Sequence, residues 1–432
     1  MRKVAGSVVL ASAVLATGAF ATNGDNLIGV SPASRAMGGL GTGICLEPTD
    51  SIFRNPGWLG RQKGFNVSFG GILFMPHVKG RSKGYWDTND SDNTTGAVPV
   101  DSGYQTSDAD TFLIPEIAIT NQINDNLVIG IGAYGVSGMG VDYRDKNGLN
   151  KMHTTFQFMR IVPAVGYKVN DRLAIGGALH LAWGSLDLGA VMAYDADGDG
   201  VPGTTWNAAG GQSQSYGLGA SLGINFKPTD NICLGAYYQS SIKMKYKNVF
   251  ISNPMTQELE DLKLEQPQEA SVGVGIRPIP ELKVGFDIRW INWSDADGYK
   301  QFKWKDQWVF AVGGEYKVTP RLALRAGYNY GKSPIREKNN LDAVNRTNTV
   351  PDFSARFSDY EIEWFNLIGF PAIAEHHITF GFGYQFTEHF TLNASYVHAF
   401  EKKVESTANG GALLAGAKNA QDSIGVSLDW NF

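Results

Sequence analysis

Over most of its 432 residues this chain alternates apolar and polar positions with a period of two, and the alternating segments are joined by connections that are short on one side and long on the other. In Leu173 to Trp183, one face reads Leu173, Ile175, Leu179, Leu181 and Trp183, and the other Ala174, Gly176, Ala178, His180 and Ala182. Strand geometry sends successive side chains to opposite faces, so one face suits lipid and the other a crowded polar interior. Leu322 to Tyr330 and Ile424 to Phe432 divide the same way. So does Ile232 to Lys247, which puts Tyr237, Lys243 and Lys245 on the polar face.

The short turns resemble one another: residues 121–127, 167–173, 226–232, 276–282, 316–322 and 384–390 carry Asn, Asp, Pro or Thr at their centres, mostly between an aromatic and an aliphatic residue. This internal repeat of strand pairs gives about fourteen strands. The long connections are 77–110, 137–153, 191–212, 249–265, 294–301, 332–375 (partly helical) and 401–420. An even strand count, one-sided loops and aromatics near strand ends predict an all-β fold, a 14-stranded antiparallel transmembrane β-barrel. Lipid cannot satisfy the free groups of a sheet edge, so the barrel has to close. A soluble sandwich would not account for the one-sided loops.

Composition agrees with this reading. The 52 glycines and 12% aromatics, against 18% charged residues and a net charge of −5, exclude a disordered chain and argue against nucleic acid as a partner. Arg2 and Lys3 precede an apolar run that ends in Ala19-Phe20-Ala21, so residues 1–21 read as a signal peptide. No later apolar stretch reaches the length of a membrane helix. The expected location is the outer membrane of a Gram-negative bacterium, with the barrel over 63–432, in contact with outer-membrane lipid and lipopolysaccharide, as a monomer.

Residues 22–62 do not alternate. Ser31 before Pro32 is a helix N-cap, Gly38 and Gly39 stop that turn, and Thr49 or Asp50 starts a second turn ending before Asn55-Pro56. A barrel of this size has a bore too wide for its own side chains to fill, so this compact segment is expected to be an N-terminal plug, or hatch. The run Ser34-Arg35-Ala36-Met37-Gly38-Gly39, then Asn55-Pro56-Gly57-Trp58-Leu59, resembles the hatch of the FadL/TodX family, in which Gly57 is more often Ala. The stretches 289–295, 324–331 and 365–381 resemble later parts of that family. The resemblance implies an outer-membrane channel for passive uptake of hydrophobic small molecules, either long-chain fatty acids or aromatic hydrocarbons. It also implies a third strand that kinks inward and opens the wall sideways, placed here at Gly135, Gly138 and Gly140. It further implies capture between outer loops 249–265 and 332–375, where Met255, Leu259 and Leu262 are spaced like one helix face. The alternative is a surface or adhesion barrel whose long loops bind partners.

By strand register the lumen candidates are Tyr134, Phe156, Phe158, Arg160, Lys243, Lys283, Asp287, Arg289, Glu315 and Arg325. Rings beside cations would suit an amphipathic acid; equally, these charges can pair with one another or with the plug. Gly130-x-Gly132-x-x-Gly135 matches a dinucleotide fingerprint, but it lies within a strand pattern with no helix after it. Asp195, Asp197 and Asp199 have calcium-loop spacing without the closing Glu, so a structural Ca²⁺ or a solvated acidic turn both fit. Cys45 in the plug and Cys233 on the lumen face are a candidate disulfide across the plug–wall contact. No hydrolytic or redox motif is present, so no enzyme activity and no other cofactor are expected.

Overall fold

The computed structural model describes residues 22–88, 97–198 and 201–432, so the leader expected over 1–21 lies outside the described residues. Fourteen strands form the wall: β1 (Phe65–Asp87), β2 (Phe112–Gln122), β3 (Leu127–Asp142), β4 (His153–Lys168), β5 (Leu173–Gly189), β6 (Ser213–Thr229) and β7 (Ile232–Gln239). The circuit continues with β8 (Glu269–Ile279), β9 (Leu282–Ile291), β10 (Gln307–Lys317), β11 (Leu322–Gly331), β12 (His376–Gln385), β13 (Phe390–Ala408) and β14 (Leu413–Asn431). Each is antiparallel to the next, and β14 pairs with β1 from Leu414↔Lys83 to Asn431↔Asn66, closing the cylinder. At the seam Phe432 N–H donates to the Phe65 carbonyl (2.8 Å).

The alternation becomes two surfaces. Phe69, Ile131, Leu179, Leu222 and Phe380 stand exposed on the outside, where lipid covers them, while Ser68, Thr120, His180, Asn225 and Thr379 are buried inside. No helix among the described residues is long and apolar enough to cross a membrane, so the crossing is by strands. The wall is uneven in height. β1, β13 and β14 run 23, 19 and 19 residues, whereas β7 has 8 and β9 has 10.

Several expectations change; residues 77–87, expected in a loop, extend β1, and β3 runs on to Asp142. The stretch 401–420, expected as a loop, is the upper part of the β13–β14 hairpin, with a bulge between Ala399 and Lys402. Charged residues such as Lys403, Glu405 and Lys418 line it, and they hide the apolar alternation that marks the membrane-crossing part. The alternation of Ile232–Lys247 breaks at Ser240. Ser240 N–H bonds the Ala220 carbonyl (2.9 Å) and its Oγ accepts the Ala220 N–H (3.0 Å), which ends the strand. Beyond it the faces exchange: Ile242, Met244 and Tyr246 are buried in the interior, and Lys243 and Lys245 are exposed. A slip of one residue reverses every side chain, so Lys243 is not a lumen residue.

Candidate functional site

Residues 22–62 fill the lower bore. A tight hairpin pairs Thr22 with Leu27 and Asn23 with Asn26. Helix α1 (Pro32–Ala36) is capped by Ser31, whose Oγ accepts the Ser34 N–H (3.1 Å) and donates to Asp50 Oδ1 (2.6 Å). Helix α2 (Asp50–Phe53) and a 3₁₀ turn (Pro56–Arg61) follow. Asn55 caps that turn by accepting the Gly57 N–H (2.9 Å), while its Nδ2 donates to Thr42 O (3.0 Å) and to Ile224 O of β6 (3.1 Å). Pro56 supplies a preset first position.

The wall meets this plug through missing side chains. A Cβ on Gly176 would overlap the Pro56 carbonyl, one on Gly235 the Thr42 carbonyl, and one on Gly327 the Met37 backbone. The relation also runs the other way: a Cβ on Gly57 would lie 2.7 Å from the Ile224 carbonyl carbon, which accounts for glycine at that motif position. The glycines of the dinucleotide-like run serve packing too, since Gly130 and Gly132 face Ile52 of the plug.

Several charged groups of the lower bore are engaged with one another or with the plug. Asp287 accepts three consecutive plug N–H groups, from Gly41 (2.9 Å), Thr42 (2.8 Å) and Gly43 (3.0 Å). Glu315 pairs with Arg325 (2.8 Å) and Lys283 (2.9 Å), and Arg325 also donates to Asn393 (2.7 Å). Arg289 lies 3.6 Å and the plug's Arg54 3.7 Å from Glu269. Arg160 donates to Gln239 and sits over the Phe158 ring at 5.4 Å. Phe156 packs edge-on against Tyr246, and Tyr134 edge-on against Phe53 of the plug at 5.3 Å. The sequence did not single out Asp287 as the plug's anchor, because its partners are backbone groups about 245 positions away.

Both cysteines are free thiols. Cys45 donates to the Glu47 carbonyl (3.3 Å), and burial pushes its pKa up; Cys233 sits beside Lys227 and Arg61. Each thiol is held in its own surroundings, so the expected disulfide is not formed.

The wall loses a neighbour at β3. Its ladder to β2 runs only to Glu116↔Tyr134, and its register against β4 shifts between Gly135 and Ser137. From Tyr134 to Val141 both faces of β3 are buried, as they are when a strand turns into the bore. Higher up the two sides rejoin, where Asp108 N–H bonds Asp142 O (3.0 Å). Between these points β2 is an edge, and it carries Pro115, which has no N–H to leave unpaired there. Ile114 leans into the gap, 2.6 Å from where a Gly135 Cβ would stand. On the inside the plug hairpin backs the kink: Asn26 bridges Ser137, and Gly138 N–H donates to the Asp25 carbonyl (3.2 Å). The space left there, beside Gly24, Asp25, Gly138 and Gly140, is about 20 Å³, room for one water.

Above the plug lies an aromatic layer. Trp293, Tyr299 and Trp304 pack with ring centroids 4.7–5.1 Å apart, and Tyr299 donates its hydroxyl proton to Asp25. Burial raises the Asp25 carboxyl to about 7; the Tyr299 hydrogen bond opposes that rise and Glu269 adds to it. Over this layer opens a cavity of about 1100 Å³, lined by Trp86, Tyr194, Trp206, Phe250, Phe353, Phe357 and Trp364 among others. One wall of it is helix α3 (Asp359–Gly369), started by a full capping box between Ser358 and Glu361. Met255 and Leu262 also line it, but Leu259 does not, and the segment is not helical: Glu260–Lys263 pairs as a strand with Lys245–Phe250. The three-to-four spacing of apolar residues was therefore coincidental. Asp195 lies at the cavity rim and accepts the Gly198 N–H (2.7 Å), Asp197 is half-buried on the same turn, and Asp199 lies outside the described residues.

Residues 7–353 match the family described as Outer membrane protein transport protein (OMPP1/FadL/TodX). The protein NMB0088 of Neisseria meningitidis serogroup B is 22% identical over 88% of this chain and 89% of its own. Among solved structures, a Pseudomonas aeruginosa FadL homologue superposes with a TM-score of 0.73 (17% identity, 95% of this chain and 100% of that one). The P. putida toluene transporter TodX gives 0.66 (20% identity, 94% and 99%), and the Ralstonia pickettii toluene transporter TbuX 0.63 (18% identity, 94% and 99%). A closed barrel with its own N-terminal segment lodged in the bore thus has its counterpart in that family, and this chain belongs to it: the OMPP1/FadL/TodX family of outer-membrane channels for hydrophobic compounds.

Proposed function

We propose that this channel carries neutral hydrophobic molecules of about the size of a substituted benzene, passively, from the outer cavity to the membrane through the gap between β2 and β3. The observation that carries this reading is that the cations of the lower bore are already engaged. Arg160, Arg289, Arg325 and Lys283 each have a committed partner inside the protein. A carboxylate on its way to the gap would have to displace one of them, leaving a buried partner unpaired at a cost of about 2 kcal/mol or more. The toluene transporters TodX and TbuX share the fold, which supports the same reading. A molecule held by rings in the vestibule would pass the Trp293–Tyr299–Trp304 layer, and the plug hairpin would have to leave the kink before it could exit.

A second reading, an amphipathic acid, draws on the vestibule alone, where the exposed Arg356 side chain lines the cavity. Liposomes with and without the protein, given labelled toluene or labelled oleate, separate the two. Faster toluene uptake with unchanged oleate uptake is expected. Faster oleate uptake alone would favour the acid, and no acceleration of either would reject transport by this route.

A further inference from the structure

We infer that the outward face beside the upper end of β6 is a docking surface for lipid A, the phosphorylated, acylated lipid of the outer leaflet. Along Ser213–Phe226, β6 is paired throughout with β5, yet with β7 only from Ser221 onward. Above that point the chain leaving β7 does not continue the ladder. It pairs instead with Glu260–Lys263, and Lys245 N–H donates to Ser215 Oγ (2.9 Å). Among the described residues, no strand forms a ladder with β6 from Gln214 to Gly219; residues 242–245 run along it instead, with Ile242 and Met244 against Gly217. On its outer face Tyr216 and Leu218 are 74% and 75% exposed, and Tyr216 stands opposite Trp183 as an aromatic pair of the kind that marks the membrane boundary.

Just above and beside this apolar edge, the face exchange at Ser240 turns three lysines outward at alternate positions. Lys245 is directly opposite Lys263, a like-charge pair that is destabilising by itself. Two carboxylates relieve it: Asp261 reaches Lys245 at 2.9 Å, and Asp352 reaches Lys245 at 3.3 Å and Lys263 at 3.4 Å. Four cations and two carboxylates leave an excess of two, and Lys243 and Lys247 have no ion pair among the described residues. An apolar outer face on a strand that lacks a second ladder, with unshared cations beside and above it, matches a lipid with acyl chains below and phosphates at the boundary. Lysines at the membrane surface attract anionic lipid headgroups.

The test uses the full-length protein in detergent, titrated with bisphosphorylated lipid A and with dephosphorylated lipid A. Three variants join the wild type: K243S/K247S, the charge-keeping K243R/K247R, and K168S/K317S, which removes two cations from the opposite, short-turn rim. Heat-modifiable gel mobility confirms the folded barrel in each. We expect K243S/K247S to weaken phosphorylated lipid A binding about tenfold, the arginine pair to restore it, and K168S/K317S to leave it unchanged. Equal binding by K243S/K247S and wild type would overturn the inference. So would equal loss in K168S/K317S, or equally tight binding of the dephosphorylated lipid. Should the serine pair fail to fold, Lys247→Ser alone, at an exposed position, decides by the same criterion.

Discussion

The lower bore and the outer vestibule sit in one cylinder and are built on opposite terms. Below, plug and wall meet backbone to backbone through glycines, and buried charges are tied to partners, as in Asp287 with three N–H groups. Above, aromatic rings enclose about 1100 Å³ of open space. A barrel of fourteen strands has surplus interior, and here it is filled by the plug below and left open, lined by aromatic rings, above. On the proposed path the gate would stand at their junction, where Trp293, Tyr299 and the hairpin at Asp25 meet.

Fastening the junction should perturb transport most. Asn26 and Ser137 are bridge partners, so N26C/S137C should form a disulfide that pins the hairpin to the kink. Toluene uptake is expected to fall to the protein-free background and to recover with reductant. Unchanged uptake in the oxidised variant would place the path elsewhere. Loosening the seal is the next largest perturbation. Asp287→Ala leaves three plug N–H groups without an acceptor, at a cost of about 4 kcal/mol. Ion conductance across a planar bilayer should rise well above wild type, and an unaltered trace would show that the plug does not depend on that carboxylate.

Changes confined to the vestibule should leave the seal alone. Phe353→Ala with Phe357→Ala removes rings from the cavity wall, and uptake at low toluene concentration is expected to drop about fivefold while the thermal unfolding midpoint stays within a few degrees. A large fall in that midpoint would mean the rings hold the fold rather than the ligand. The smallest effect concerns pH. Asp25 has a carboxyl raised from 3.8 to about 7 by burial, facing Tyr299 and Glu269, with Tyr246 nearby. Between these values the seated hairpin keeps a proton that a released hairpin has lost. Seating is therefore strongest in acid and weakens as pH rises toward 7. Leak conductance should climb about twofold from pH 5 to pH 8 in the wild type and stay flat in Asp25→Asn.

The wall was readable in the sequence because lipid on one side and a polar bore on the other impose alternation on every crossing strand, and because the short turns repeat. The plug was readable as an interruption of that alternation. What escaped depended on contacts distant in sequence or on a local break. Nothing around Asp287 announces three backbone donors from Gly41 to Gly43. Ser240 ends a strand by replacing a ladder carbonyl with its own hydroxyl, and a pair of serines in an alternating run gives no sign of it. The apolar residues of 249–265 matched a helix period, yet they belong to a hairpin held by Glu260, which accepts the Ser252 and Ser354 N–H groups.

The glycines facing the plug carry a consequence for how such a tube could be re-engineered. Strands rich in glycine are poor at holding themselves extended, and here the cast segment inside supplies the stiffness that absent side chains would have given. Removing residues 22–62 would thus not unblock a sturdy pipe. It would withdraw the mandrel on which the pipe was wound, and a designer wanting a wide pore from this scaffold would have to refill Gly176, Gly235 and Gly327 with bulkier residues in the same stroke.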